Sequence, residues 1–515
     1  MEKNKITSAG KLLLSEVYFR NRYNALMQIV DSQIDQRMVK VAVYEHNVTL
    51  PPIVKNVVTR QEALRNMMVN LKAMKAKTKE ASKQGAKLIV LPEYGIYGPA
   101  KLGGLDKTKL VPYLERIPNP NIVSWNPCDN PGLFTDADVQ IFLSCLAKNN
   151  SIYVVANYGD LQQCQTNPNC PSSGHLQFNT NVVYDNHGNF IAKYHKFNLF
   201  YEFHFDTPKQ AEIITFQTPF GTFGIFTCFD ILFHDPAIEL IEKGVRNIVF
   251  PTAWMDEFPF FFSVQFHSAF AIGSGINFLA SNLHLPSNKF HGSGIYTPNG
   301  AAKYYYDVKT KEGRLIVADI PVLEKFSKTQ KTSAITTTYK TVSVTNYQSQ
   351  FSVPLFHDHF NIVQVNNRLG SISVCHNKLC CSLSYQMTGN DERFVFGAFD
   401  GLHTYAGRYY LQICALLKCR DSNHESCGLF TNTSTTYFKD ITIVGNFSGT
   451  YIYPEILLSK DGELTLSTFQ KWQHNENVLI LNGTSEFPLL SASLFSREYS
   501  RDTATETQTQ TQLLG

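Results

Sequence analysis

From about Met38 the hydrophobic pattern of the chain switches repeatedly between two periods. "KVAVYEH" (40–46) is rich in β-formers and predicts a strand. "TRQEALRNMMVNLKAMKAKTKEASKQG" (59–85) follows it. Its apolar positions Leu64, Met67, Met68, Leu71 and Met74 fall at helical spacing. Thr59 and Glu62 have the spacing of a capping box, and Gly85 stands where a C-terminal cap belongs. "KLIVLP" (87–92) is a short, wholly apolar run, as expected of a strand covered on both faces. The theme then repeats. "IYVVAN" (152–157) reads as a strand, and "NTNVVYDNHGNFIAKYHK" (179–196) as a hairpin turning at Asn186-His-Gly-Asn. "FGIFTC" (223–228) is the next strand, and Asp235 and Pro236 open a helix that Gly244 closes. "NIVFPTAW" and "INFLASN" are further strands, with a helix at 261–275 between them. Such alternation implies an α/β fold of layered sheets and helices.

The character changes after about residue 330. A Thr/Ser-rich stretch, "KTQKTSAITTTYKTVSVTNYQSQ", reads as a linker. Beyond it "ISVCHNKLCCSLSYQM", "GRYYLQICALLKC" and "ITIVGNFSGTYIYPEILLS" are strand-like, with almost no helical period. The division expected is an atypical N-terminal segment 1–37, an α/β domain 38–330, a linker 331–350, a β-rich domain 351–497 and a polar, disordered tail 498–515.

Composition narrows the function classes. The chain has 515 residues, 43% hydrophobic and 17% charged, enough for two to four globular domains. A net charge of +3 gives no reason to expect nucleic acid as a partner. No apolar run reaches the length of a transmembrane helix. The first 30 residues lack the apolar core of a signal peptide, and the C-terminus lacks the apolar tail of a glycolipid-anchor signal. Against that stand 11 cysteines and five glycosylation sequons, at Asn47, Asn149, Asn432, Asn446 and Asn482, which favour a secreted, oxidising setting. Cysteine spacing does not suit zinc, so no metal is expected. An odd cysteine count leaves one thiol unpaired. Cys228, farthest from the others in sequence, is the candidate. Pairing is expected within Cys128/Cys145 and within Cys164/Cys170; the six cysteines of the second domain allow 15 pairings.

Three reactive residues end or follow predicted strands: Glu93 in "LIVLPEYG", Lys196 in "FIAKYHKFNLF" and Cys228 in "FGIFTCFD". Taken singly, each has a plain reading: a surface carboxylate, a solvated lysine, an inert core thiol. His195 has two readings: it helps to position the loop, or, as a lone histidine in a hairpin more often is, it is merely exposed. Together the three reactive residues make a self-consistent hydrolase. A carboxylate takes the thiol proton, the thiolate attacks a carbonyl, an ammonium stabilises the oxyanion and favours the thiolate, and the carboxylate then activates water. Glu202 in "LFYEFHFD" lies within reach of Lys196 if the loop folds back, in a supporting role.

"LPEYGIYG", "YHKFNLF" and "FTCFDILFHDPA", in the order Glu–Lys–Cys, resemble the nitrilase superfamily of carbon–nitrogen hydrolases. "TRQEAL", "SCLAKNNSIYVVAN", "PTAWM", "FHSAFA", "GSGIYTPNG", "LCCSLSY" and "GAFDGLHTYAGRYYLQICALLKC" are similar to the vanin branch (the pantetheinases) and its sister, biotinidase, over residues 38–497. The resemblance implies a four-layer α-β-β-α domain with a mostly β base domain, hydrolysis of the pantetheine amide, and no cofactor. It implies Glu93 as general base, Lys196 as oxyanion stabiliser and Cys228 as nucleophile, with "PTAWMDEFPFFF" and "SNLHLPSNKFHGSG" lining the substrate pocket through Trp254, Asn282 and His284. Asn288 belongs to the second of these segments. Two rivals remain. One is biotin-amide hydrolysis by the same triad; the other is a secreted binding or signalling protein that keeps the fold without turnover.

Overall fold

In the computed structural model the described residues are 37–164, 170–323, 350–388 and 391–502. Two six-stranded sheets form the first half. Sheet one contains β1 (Met38–Glu45), β2 (Leu88–Val90), β3 (Tyr153–Gln163), β4 (His175–Tyr184) and β5 (Phe190–His195). Sheet two contains β6 (Thr215–Thr218), β7 (Gly221–Ile225), β8 (Asn247–Pro251), β9 (Asn277–Ser281), β10 (Ser293–Thr297) and β11 (Gly300–Tyr305). β12 (Arg314–Pro321) returns to sheet one beside β1. Both sheets have parallel centres, β1–β2–β3 and β7–β8–β9.

Side-chain alternation assigns the layers. In β1, Val41 and Val43 join the core shared with sheet two, whereas Ala42 and Tyr44 join the core beneath the helices. β2 splits likewise, with Leu88 and Val90 inward and Ile89 outward. Both faces are thus covered, which is why β2 and the stretch 41–44 of β1 are apolar at every position. Helices α1 (Arg60–Lys83) and α2 (Asp138–Asn150) supply Met67, Leu71, Met74, Val139, Leu143 and Leu146 to the outer core. The Thr59/Glu62 capping box forms, and Gly85 follows the last turn at φ +89°. Helix α3 (Ser263–Ser274) covers the far face of sheet two, completing an α-β-β-α sandwich.

The helix expected between Asp235-Pro236 and Gly244 forms over that span, though irregularly. The stretch after Asp235-Pro236 holds a single wide turn, His234–Ile238, and a short α segment, Glu239–Glu242, before Gly244 at φ +82°. The Asp235 carboxylate pairs with His234 and makes no cap bond to the turn.

The second half is all β. β13 (Phe351–Leu355), β14 (Asp358–Val365), β17 (Phe394–His403), β18 (Tyr409–Lys418), β20 (Tyr451–Lys460), β21 (Glu463–Leu466) and β24 (Leu489–Arg497) form one antiparallel sheet. β15 (Leu369–His376), β16 (Leu379–Met387), β19 (Phe438–Gly445), β22 (Trp472–Asn475) and β23 (Val478–Leu481) form the other. They enclose their own core, and the Cys381–Cys414 bond joins β16 to β18 across it. The outer face of the larger sheet, including Phe360, Ile413, Tyr453 and Phe495, is buried in the core of the first half. This explains α3, in which Ser263 through Ala271 are all buried: sheet two lies on one side and β20 on the other. A Cβ on Gly273 would stand 2.4 Å from the Ile452 carbonyl, so glycine permits this approach. The described residues from Val39 onward form one compact unit.

The expected Cys128–Cys145 and Cys164–Cys170 bonds are present, and Cys375–Cys380, Cys381–Cys414 and Cys419–Cys427 complete five. Among the described residues Cys228 is the one free cysteine. The expected N-terminal segment and linker fall outside the described residues except for Arg37 and Gln350; of the tail expected to be disordered, 498–502 are described and hold a short turn, Tyr499–Arg501, and the rest lies outside.

Candidate active site

Glu93, Lys196 and Cys228 converge on one cavity of about 680 Å³. Each is delivered by the end of a strand. Glu93 follows β2, Lys196 follows β5 and Cys228 follows β7, so the two sheets contribute opposite walls. Loops beyond the carboxyl ends of parallel strands are the usual site position in such folds.

All three residues are buried. Glu93 Oε1 accepts from Lys196 Nζ at 2.8 Å and from Asn179 Nδ2 at 2.7 Å. Its Oε2 accepts from the Ala253 backbone N–H at 2.8 Å. Glu202 folds back as expected: its Oε2 lies 2.6 Å from Lys196 Nζ and accepts from the Phe200 N–H, and its Oε1 accepts from Asn179 Nδ2 at 2.7 Å and from the Tyr94 hydroxyl. One ammonium is therefore shared by two carboxylates, with Asn179 bridging them from the side.

The environments push the two carboxylates apart. Burial raises Glu93 above the usual carboxylate range, and the neighbouring Glu202 charge adds to this against the pull of Lys196. Glu202 is buried too, but Lys196, the Tyr94 hydroxyl and the Phe200 N–H hold it low. Burial alone would lower Lys196; Glu202 and Glu93 together hold it well above an ordinary lysine. The arrangement favours the ionised form of Glu202 and the charged form of Lys196, and leaves Glu93 the carboxylate more ready to hold a proton.

Cys228 begins a tight turn, Cys228–Leu232, in the left-handed region at φ +46°. A non-glycine residue there is held by its surroundings. Asp230 does the holding. Its carboxylate accepts from the Thr227 N–H at 3.0 Å, the Tyr194 hydroxyl at 2.6 Å, and both the backbone and side-chain N–H of Asn198 at 2.8 and 2.9 Å. It thereby ties the cysteine turn to the loop that carries Lys196. The thiol departs from the sequence expectation. Lys196 does favour the thiolate, but burial and the Glu93 charge outweigh it and push the thiol up, so it rests protonated and needs a base.

His195 is not exposed. Its Nε2 meets Asp160 at 2.9 Å and its Nδ1 meets Glu212 at 3.0 Å. Burial alone would lower this imidazole; those two carboxylates raise it, and the clamp fixes the residue next to Lys196. Of the expected pocket residues, Trp254 and Asn288 line the cavity. Asn282 and His284 do not. Asn282 is spent on the Trp254 backbone and the His291 carbonyl, and His284 on Glu45 and the Thr310 carbonyl. The cavity has lining that the pocket expectation did not include: Phe356, His403, Tyr405 and Tyr409, all from the β-rich half. Among the described residues no cluster suits a metal ion.

The sequence profile of the carbon–nitrogen hydrolases matches residues 57–264, and that of the vanin C-terminal domain matches residues 349–502. A pantetheinase of Mus musculus is 45% identical over 488 residues, covering 94% of this chain and 93% of its own. The chain belongs to the vanin branch of the carbon–nitrogen hydrolases. As a member of that branch it is a hydrolase acting on amide C–N bonds. A biotinidase of Bos taurus is 37% identical over 493 residues, covering 90% of this chain and 92% of its own. The solved Nesterenkonia amidase of the nitrilase superfamily aligns with 55% of this chain and 90% of its own, at 18% identity and a TM-score of 0.39.

Within this vanin-branch chain, sequence reasoning missed Asn179, Asn157 and Asp230. Asn157 accepts from the Tyr94 N–H and donates to Asn179 and Asn181, ordering the strand face beneath Glu93. The signal was there: Asn179 and Asn181 stand two apart in "FNTNVVY", on one face of a strand otherwise apolar beyond them. Paired amides on a buried face need partners, and so mark a polar site.

Proposed function

We propose that the protein cleaves the amide of pantetheine to pantothenate and cysteamine through a thioester on Cys228. Glu93 takes the thiol proton, and the thiolate attacks the amide carbonyl carbon. Lys196 stabilises the oxyanion while Glu202 keeps it charged. The Glu93 carboxyl then hands its proton to the departing amine. Glu93 next draws a proton from water, which attacks the thioester carbonyl and frees the acid and the thiol. Asp230 keeps the turn that presents Cys228 in place.

The observation that carries the reading is the buried Glu93–Lys196–Glu202 cluster, with split carboxylates, in the cavity that receives the one free thiol among the described residues. Identity to pantetheinases favours pantetheine over biotin amides. Five disulfides favour an oxidising, extracellular location. Among the described residues no helix is long and apolar enough to cross a membrane. Glycosylation is proposed at the exposed Asn47, Asn149, Asn446 and Asn482 and at the half-buried Asn432. The boundaries 38–330 and 351–497 are proposed for the two domains.

The test is steady-state turnover of pantetheine and biocytin by the same purified protein. A clearly higher kcat/KM on pantetheine is expected. The reverse ranking moves the assignment to biotin amides, and turnover of neither by folded protein with a free Cys228 thiol restores the non-enzymatic reading.

A further inference from the structure

The β-rich half reaches the active-site cavity through two turns, one between β13 and β14 and one between β17 and β18. They bring Phe356, His403, Tyr405 and Tyr409 into its wall. The contact runs close to the nucleophile. The ring of Phe229, the residue after Cys228, stands edge-on to Tyr409 with centroids 6.5 Å apart. Gly407, at φ +145°, passes so near that a Cβ there would stand 2.9 Å from that same Phe229 ring. The second turn therefore rests on the residue next to the reacting thiol.

Within this mostly aromatic wall His403 is the exception. It is 1% exposed and lines the cavity. Its Nδ1 is 2.6 Å from the buried Asp358 carboxylate, and among the described residues Asp358 is its one hydrogen-bond partner. Phe356 stacks on the imidazole at 4.9 Å, and Tyr409 packs on it at 4.9 Å with a 32° tilt. With Nδ1 turned to Asp358 and those rings packed against it, the edge of His403 left for the cavity is the one that carries Nε2. In the neutral imidazole a carboxylate at Nδ1 selects the tautomer that carries its hydrogen there, and Nε2 is then the acceptor. An acceptor that opens on an otherwise aromatic cavity wall asks for a donor from whatever fills the cavity.

We infer that His403, oriented by Asp358, is a specificity residue of this hydrolase: its Nε2 accepts a hydrogen bond from a hydroxyl on the acyl half of the substrate. The β-rich half is on this account part of the substrate site. The inference rests on the pantetheine reading, in which the acyl half carries two hydroxyls and the amine half none. A site that hydrogen-bonds a substrate hydroxyl rejects an analogue lacking it, because its own buried group is left unpaired.

The experiment is a cycle of substrates against variants. Wild type, His403→Phe, His403→Gln and Asp358→Asn are each assayed on pantetheine and on its 2-deoxy and 4-deoxy analogues, with kcat and KM resolved. Melting temperature and iodoacetamide labelling of Cys228 serve as fold controls. Phenylalanine keeps the packing on Phe356 and Tyr409 but removes the acceptor; glutamine restores one. Wild type should lose roughly 10- to 100-fold in kcat/KM on one deoxy analogue. His403→Phe should lose a similar factor on pantetheine, mainly in KM, and nothing further on that analogue. His403→Gln should recover part of the loss. Asp358→Asn, which turns a donor toward Nδ1 and flips the tautomer, should behave as His403→Phe does. Equal losses on all three substrates would reduce His403 to a structural role and overturn the inference. So would a wild type that accepts both deoxy analogues as well as pantetheine, an arm that requires no variant to fold. Failure of wild type to turn over pantetheine at all sinks the substrate reading itself, and this inference with it, so the two failures are told apart.

Discussion

Replacing Lys196 by methionine removes the only cation among three buried ionisable groups. Its nitrogen lies 2.8 Å from Glu93 and 2.6 Å from Glu202, and all three residues are buried. Two losses follow. Loss of an oxyanion donor of this kind costs about 10²–10³ in kcat, or about 2.7–4 kcal/mol. Breaking a buried ion pair also leaves an uncompensated charge, which costs about 3–5 kcal/mol of stability. The second loss depends on pH. Without Lys196, burial and mutual repulsion raise both carboxylates above their unfolded values. A carboxylate raised in the folded state binds its proton more tightly there than in the unfolded chain. The folded variant is therefore relatively most stable in acid and loses stability as pH rises through the raised value. In wild type Glu202 is depressed instead, so that contribution is present at neutral pH and lost as pH falls. The gap in melting temperature between variant and wild type should accordingly narrow from about pH 8 to about pH 5. Steady-state turnover and differential scanning fluorimetry over that range measure both losses. A variant with near wild-type kcat/KM, or a stability gap that widens in acid, would refute the reasoning.

Other substitutions test the remaining parts. Cys228→Ser should keep its melting temperature and lose several orders of magnitude in turnover, because a hydroxyl is hardly ionised without a stronger base; Glu93→Gln should cost roughly 10²–10⁴ in kcat/KM. Burial raises Asp230 to about 6, despite its donors from Tyr194 and Asn198, so it takes up a proton as pH falls through that value and its bonds to the cysteine turn weaken. Asp230→Asn should lower activity at neutral pH and flatten the acid limb near pH 6 of the kcat/KM profile; an unchanged profile would show that the turn does not depend on this carboxylate. Removing the inter-sheet disulfide with Cys381→Ala and Cys414→Ala opens a link across 33 residues. It should cost about 4 kcal/mol by chain entropy, read as a lower midpoint in urea unfolding.

What could be read from the chain was local. The capping box at Thr59, the apolar stripe of α1 and the wholly apolar β2 are encoded within a few residues of one another, and each appears where expected. Glu93, Lys196 and Cys228 were legible because each sits at a strand end, where the layered fold brings them together. The misses were non-local. The direction of the Cys228 thiol depends on how deeply the cavity is buried, which motif spacing does not encode. His195 looked exposed because its partners Asp160 and Glu212 lie 35 and 17 residues away. Asn282 and His284 carried the right chemistry for a pocket, yet the fold spends them on backbone and on Glu45. The contribution of Phe356, His403 and Tyr409 to the cavity arises because the larger sheet of the second half packs onto α3, a docking that no short stretch announces.

The most direct test of the central claim is to catch the acyl-enzyme. Wild-type protein is mixed with excess pantetheine, quenched in acid within the first turnovers, and examined by intact mass and by mapping of the peptide that contains Cys228. The expected result is a pantothenoyl thioester on Cys228, absent from Cys228→Ser and discharged by hydroxylamine. Steady turnover of pantetheine with no adduct on Cys228, or with an adduct on another residue, would contradict the account.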